Sequence, residues 1–203
     1  WFIGSTVMNS GVPEDVKKLT LKFNYNDIDS CKNLVSKFKG EIACFVLEPL
    51  SFEVPKNNFL QELKTLCENN GIVLIFDEVV SGFRFNISGA QKYVGVTPHL
   101  SAFGKGMANG FSISALVGKK ELMQLAGTDH DKERVFILSS THGGETHSFA
   151  AAKACINEIK NKNLVNYFWE KGKAIKNGLI KASQKAGADD YLKVIGYDVK
   201  PAY

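Results

Sequence analysis

The chain has 203 residues, 25 Lys and Arg against 21 Asp and Glu, 23% charged and 44% hydrophobic. That is the balance of a globular chain long enough to bury a core without disulfides or structural metal, and it excludes wholesale disorder. The longest apolar runs, Ile42–Leu47 and Ile72–Phe76, fall far short of the roughly 18 residues a membrane helix needs, and the basic residues are too few and scattered to neutralise a nucleic-acid backbone.

In chain order, the opening to about Phe23 carries little periodic signal. Asp27 is a plausible N-cap for a helix reaching about Lys39, with Ile28, Leu34, Val35 and Phe38 on one face. Glu41–Glu48 reads as a strand whose continuous apolar stretch predicts burial on both faces, as in a parallel sheet. Residues 55–58 lead into a helix ending at Asn70, closed by Gly71. Ile72–Val79 is a second strand, completing a strand–helix–strand unit. Gly82, Gly89, Gly95 and Pro98 mark a long irregular stretch. Short strands follow at Leu100–Phe103, Ile113–Gly118 and Val135–Ser140, a short helix at Glu121–Ala126, and amphipathic helices at Glu145–Lys160 and Leu164–Ala186. The class is α/β.

The cysteines Cys31, Cys44, Cys67 and Cys155 share no CxxC spacing and read as reduced, mostly buried thiols of a cytosolic protein. No basic-then-apolar leader is evident. The first residue is Trp1, and both ends read as mid-domain sequence, so a fragment is expected.

Ligands of such sheets bind beyond the carboxyl ends of the strands. Asp77, Lys105 and Thr141 each follow a predicted strand, so an acid, an amine and a hydroxyl meet in one crevice if those strands are neighbours. Asp77 ends five apolar residues, and a buried carboxylate there needs a partner. It is either an N-cap or a salt bridge to Arg84, or else a carboxylate facing a cationic ring nitrogen of a cofactor. Lys105, flanked by Gly104 and Gly106, is either a solvated charge or an amine held for Schiff-base chemistry. The P-loop and dinucleotide patterns both fail around it, at His99 and Gly106 for one and Asn109 for the other. His142 and His147 are five apart with two glycines between, which is not zinc spacing. Thr141, Gly143 and Gly144 before a helix read either as an anion site or as ordinary capping. Phe83, Phe85 and Tyr93 either line a substrate pocket or pack under a loop.

Together, Leu47-Glu48-Pro49, the run from Phe76-Asp77-Glu78-Val79 to Gly82-Phe83-Arg84, Gly95-Val96-Thr97-Pro98, Phe103-Gly104-Lys105-Gly106 and Ser139-Ser140-Thr141-His142-Gly143-Gly144-Glu145-Thr146 resemble the class III aminotransferases. These are pyridoxal-phosphate enzymes of fold type I, and the nearest branch resembles glutamate-1-semialdehyde aminomutase. The resemblance implies a homodimer with the active site at the subunit interface and a mostly parallel sheet with helices on both faces. Residues 1–186 would be an incomplete cofactor-binding large domain, and 187–203 the start of a connection to a small domain.

By the same resemblance, Lys105 forms a Schiff base with pyridoxal 5'-phosphate and moves the substrate proton. Asp77 pairs with the pyridinium nitrogen, Val79 packs on one ring face, and Thr141 holds a phosphate, usually that of the neighbouring subunit. Glu53 aligns with a substrate-side glutamate of many class III transaminases, where the aminomutase typically carries Asn; otherwise it is a solvated loop charge. The implied activity is transfer of an amino group from an amino donor to a carbonyl acceptor. The alternatives are intramolecular transfer by an aminomutase and an inactive domain that kept the fold; Asp77 and Lys105, both intact, speak against the last.

Overall fold

A computed structural model describes residues 8–132 and 141–203. By compactness the chain divides into two units, Trp1–Leu47 with Pro55–Ile75 and Glu48–Val54 with Phe76–Tyr203.

The first unit opens with α1 (Glu14–Lys18), a short helix that buries no residue and so leaves no periodic apolar trace in the sequence. In α2 (Ile28–Lys37) the Asp27 carboxylate accepts the Ser30 N–H at 3.0 Å, the capping bond its position predicts. Strand β1 (Cys44–Leu47) precedes α3 (Phe59–Asn69), which buries Phe59, Leu60, Leu63 and Cys67. Those residues recur every three or four positions, so one stripe of α3 faces the core. Asn70 ends the helix and Gly71 follows at φ 67°, a left-handed turn that glycine adopts freely.

Strand β1 is shorter than its apolar run and buries only one face. Phe45 and Leu47 are buried, whereas Val46 is half-buried and Cys44 exposed. Cys44 and Val46 line an open cavity of about 520 Å³ with Leu21, Phe23, Leu34 and Phe38, which is why continuous burial fails here. The thiols divide accordingly: Cys31 and Cys67 are buried and Cys155 is intermediate.

Strand β2 spans Val73–Asp77. One mixed, mostly parallel sheet has the order β1-β2-β3-β4, with β3 at Leu100–Phe103 and β4 at Ala115–Gly118. The last pair is antiparallel, from Leu100 opposite Gly118 to Phe103 opposite Ala115.

The second unit also holds a helix, α4 (Ala90–Val94), inside the stretch expected to be irregular. Its first N–H groups bond to the side chain of Glu78, a partner too distant in sequence to leave a local cue. Next come α5 (Lys120–Met123), which runs on into a 3₁₀ turn at Gln124–Ala126, then α6 (Thr146–Asn161) and α7 (Leu164–Lys185). A hairpin of β5 (Ile195–Tyr197) and β6 (Lys200–Ala202) was not anticipated. The predicted strand Val135–Ser140 lies outside the described residues.

Leu50, Phe85, Ala90 and Val199 form one core cluster, with Phe168, Trp169 and Tyr197 against it; Phe103, Met107, Ala108 and Ala152 form another. Each large apolar side chain so buried contributes about 1.5–3 kcal/mol. Phe85 thus packs under its loop, and half-exposed Tyr93 stacks on Trp169. Among the described residues, no helix is long and apolar enough to cross a membrane.

Candidate functional site

Side chains alternate along β2, with Leu74 and Phe76 fully buried on one face and Val73, Ile75 and Asp77 half-buried on the other. Asp77 is the last residue of the strand. Its Oδ1 accepts the Val79 N–H at 3.0 Å, closing a tight turn in which the side chain stands in for a backbone carbonyl. This turn is neither of the two structural readings of the acid: among the described residues no helix starts at Asp77 for it to cap, and no ion pair joins it to Arg84.

The neighbouring strand β3 ends at Phe103, and Lys105 follows in a 3₁₀ turn, Lys105–Met107. The Glu78 N–H donates to the Ala102 carbonyl at 2.8 Å, so the chain just past Asp77 is tied to the end of β3. A Cβ placed on Gly104 would lie 3.5 Å from a Val79 methyl. Asp77, Val79 and Lys105 therefore lie at the carboxyl ends of adjacent strands, as the α/β reading requires of a ligand crevice.

Gly104 is extended (φ −175°), whereas Lys105 itself takes the left-handed conformation at φ 44°. That conformation costs a side-chain-bearing residue about 1–2 kcal/mol, and such strain gathers at functional sites. The side chain is exposed.

Thr141 stands apart. It begins an exposed turn ahead of α6, and no hydrogen bond joins it to Asp77 or Lys105 among the described residues. The N-cap of α6 is Glu145, which makes no side-chain capping bond. Its carboxylate lies instead between His142 (2.8 Å) and His147 (3.3 Å). Among the described residues, no group of three or more His, Cys, Asp or Glu side chains is placed to hold a metal ion. Helix α6 reaches the lysine turn through Cys155, whose thiol donates to the Gly106 carbonyl at 3.4 Å. Glu53 lies on an exposed loop after Leu50, its carbonyl accepting the Tyr197 hydroxyl at 3.5 Å. A cavity of about 530 Å³ opens beside Gly106, between Phe83, Arg84, Cys155, Phe168 and Val199, and neither Asp77 nor Lys105 lines it.

One residue the sequence reading left without a role is Glu78. It is fully buried, continuing the row of Leu74 and Phe76. Its carboxylate accepts from the N–H groups of Ala90 and Gln91 (2.9 Å to the latter) and from the Ser81 hydroxyl (3.1 Å). Burial raises its pKa, against the lowering effect of those donors. The two-residue alternation of β2 was the available signal, since it puts residue 78 on the same face as Leu74 and Phe76.

Residues 9–195 match the family described as aminotransferase class-III. The chain belongs to that family. Among curated proteins, this class-III aminotransferase chain is 37% identical over 190 residues to a protein named glutamate-1-semialdehyde 2,1-aminomutase from Citrifermentans bemidjiense, covering 92% of this chain and 44% of the relative. It is 39% identical over 183 residues to a protein of the same name from Methanococcus vannielii, covering 86% of this chain and 41% of that one. The chain thus spans less than half the length of these relatives. Among solved structures, an omega-transaminase from Sphaerobacter thermophilus superposes with a TM-score of 0.80 at 27% identity, over 94% of this chain and 43% of the other. The FumI protein of a Sphingopyxis species, solved in its PLP internal aldimine form, superposes at 0.83 with 25% identity, over 95% and 46%. The fold is that of the fold type I aminotransferases.

Proposed function

We propose that this chain is the part of a pyridoxal 5'-phosphate-dependent aminotransferase that carries the reactive lysine. The observation that carries the reading is the placement of Asp77 and Lys105 at the carboxyl ends of neighbouring strands. An acid and an amine on one rim fit a ligand with a basic ring nitrogen and an aldehyde. The bound cofactor supplies that aldehyde and a ring able to take up the electron pair of a broken C–H bond.

In this reading the Asp77 carboxylate keeps a proton on the ring nitrogen, its orientation fixed by the Val79 N–H. Lys105 would supply the nucleophilic amine, then take the proton from the amino donor's α-carbon and deliver it to the carbon that was the cofactor's aldehyde. Val79, half-buried against Gly104, offers an apolar surface to one ring face. Thr141 and the glycine turn before α6 hold a phosphate at the helix N-terminus, where no side-chain cap competes. Assigning that phosphate to a neighbouring subunit makes the enzyme a homodimer with shared sites. Residues 187–203 lead toward a small domain. Four free thiols support a cytoplasmic location.

Borohydride reduction of the full-length, cofactor-loaded enzyme, followed by peptide mapping, is expected to place the label on Lys105. A label on any other lysine overturns the reading. Intramolecular transfer by an aminomutase is the second reading, favoured by the names of the relatives at 37% and 39% identity. Glu53 at a position where aminomutases typically carry Asn favours transfer between molecules. Turnover that requires an added keto acid supports transfer, and turnover without one supports the aminomutase.

A further inference from the structure

We infer that Glu78 is a positioning residue, a buried anchor that sets the direction of Asp77 and Val79; the inference rests on the cofactor reading above. Asp77 and Val79 are its chain neighbours, and their orientation depends on how the peptide at 78 is held. That peptide is fixed through both its main chain and its side chain. The Glu78 N–H bonds to the Ala102 carbonyl at 2.8 Å, two residues before Gly104, and its carbonyl accepts the Gly82 N–H at 2.8 Å. The carboxylate, with no exposed surface, accepts hydrogen bonds from Ser81, Ala90 and Gln91, using both oxygens.

The enclosure is complete on the side of Gly89. That residue has φ 85°, and a Cβ there would come within 2.6 Å of Glu78 Oε1. Side chains at 77 and 78 leave the strand on opposite sides. Locking residue 78 into the protein therefore turns Asp77 toward the crevice, with its Oδ1 free to serve the turn to Val79. An apolar residue at 78 would fill the space but leave the N–H groups of Ala90 and Gln91 without their acceptor, a costly loss in a buried place.

Glu78→Gln tests this in the full-length enzyme, because an amide cannot accept hydrogen bonds on both arms. The readout is the pH midpoint of the bound cofactor's absorbance change, which reports the charge placed against its ring. Glu78→Gln is expected to move that midpoint by about half a pH unit or more and to weaken pyridoxal phosphate binding about tenfold. Ser81→Ala, which removes one donor and keeps the fold under a milder change, is expected to move it less in the same direction. Leu63→Ala, in the first unit, is expected to lower the melting temperature and leave the midpoint unmoved. A Glu78→Gln enzyme that only melts earlier, as Leu63→Ala does, overturns the inference; should it fail to fold, an unmoved midpoint in Ser81→Ala does so. Asp77→Asn separates the two levels. If it moves the midpoint and the Glu78 and Ser81 variants do not, the anchor alone is wrong; if it too has no effect, the cofactor reading falls and the anchor with it.

Discussion

Lys105 holds a left-handed backbone angle although glycine stands on either side of it. The neighbouring elements must supply the roughly 1–2 kcal/mol this costs, and they do so through the Gly106 carbonyl bonded to Cys155 and through Met107, which is buried. A role that needed only positive charge would tolerate arginine. Lys105→Arg in the full-length enzyme is instead expected to lower turnover by about 10³-fold or more, since a guanidinium stays protonated and serves neither as nucleophile nor as base. Steady-state kinetics with a saturating donor checks this, and near-normal turnover would return Lys105 to the status of a surface charge. At this scale the sequence was informative about which residues matter and silent about how they are held. Asp77 and Lys105 stood out because an acid ended an apolar run and an amine sat between glycines. Glu78 did not, because its donors at Ala90 and Gln91 come from another part of the loop.

Elements whose signal is local were legible. Helix α3 repeats its apolar residues at helical spacing and ends at Asn-Gly; α2 begins at a capping Asp. Elements held by distant partners were not. Helix α4 depends on Glu78, and the β5–β6 hairpin is fastened by Lys200, whose ammonium lies 2.6 Å from Glu48 and 3.2 Å from the Leu50 carbonyl. The helix pair α2 and α3 carries a pH dependence of its own. Burial raises the Cys31 thiol from 9.0 to about 11 and the Cys67 thiol to about 12, each thiolate being costly inside the packed layer. Both folded values lie above the unfolded one, so the folded state binds the protons more tightly. The stability they contribute is intact below pH 9 and is lost as pH rises toward 11 and 12, by about 1.4 kcal/mol per unit for each thiol still protonated only in the fold. Denaturant unfolding at a series of pH values is expected to show this fall together with the appearance of thiolate absorbance. Unfolding that is flat above pH 9 would mean that the two thiols ionise in place.

For the whole molecule, the α/β class and the strand–helix–strand order were visible because short continuous apolar runs alternate along the chain with apolar residues spaced three or four apart. Sheet order was not, since strand neighbours are chosen by packing between residues far apart in sequence. The same distinction decides what 203 residues do alone. Asp77 and Lys105 share one rim, but Lys105 and Thr141 are both exposed, and no hydrogen bond joins Thr141 to the rim among the described residues. A cofactor held at the ring nitrogen and the aldehyde carbon without an enclosed phosphate lacks its strongest anionic contacts, and an imine open to water hydrolyses readily. The isolated chain is therefore expected to take up pyridoxal phosphate only weakly, with little Schiff-base absorbance at micromolar cofactor, whereas the full-length enzyme retains it through gel filtration. Absorbance titration of the two proteins side by side makes the comparison. Equal retention would show that the rim of β2 and β3 binds the cofactor without help from residues outside this chain.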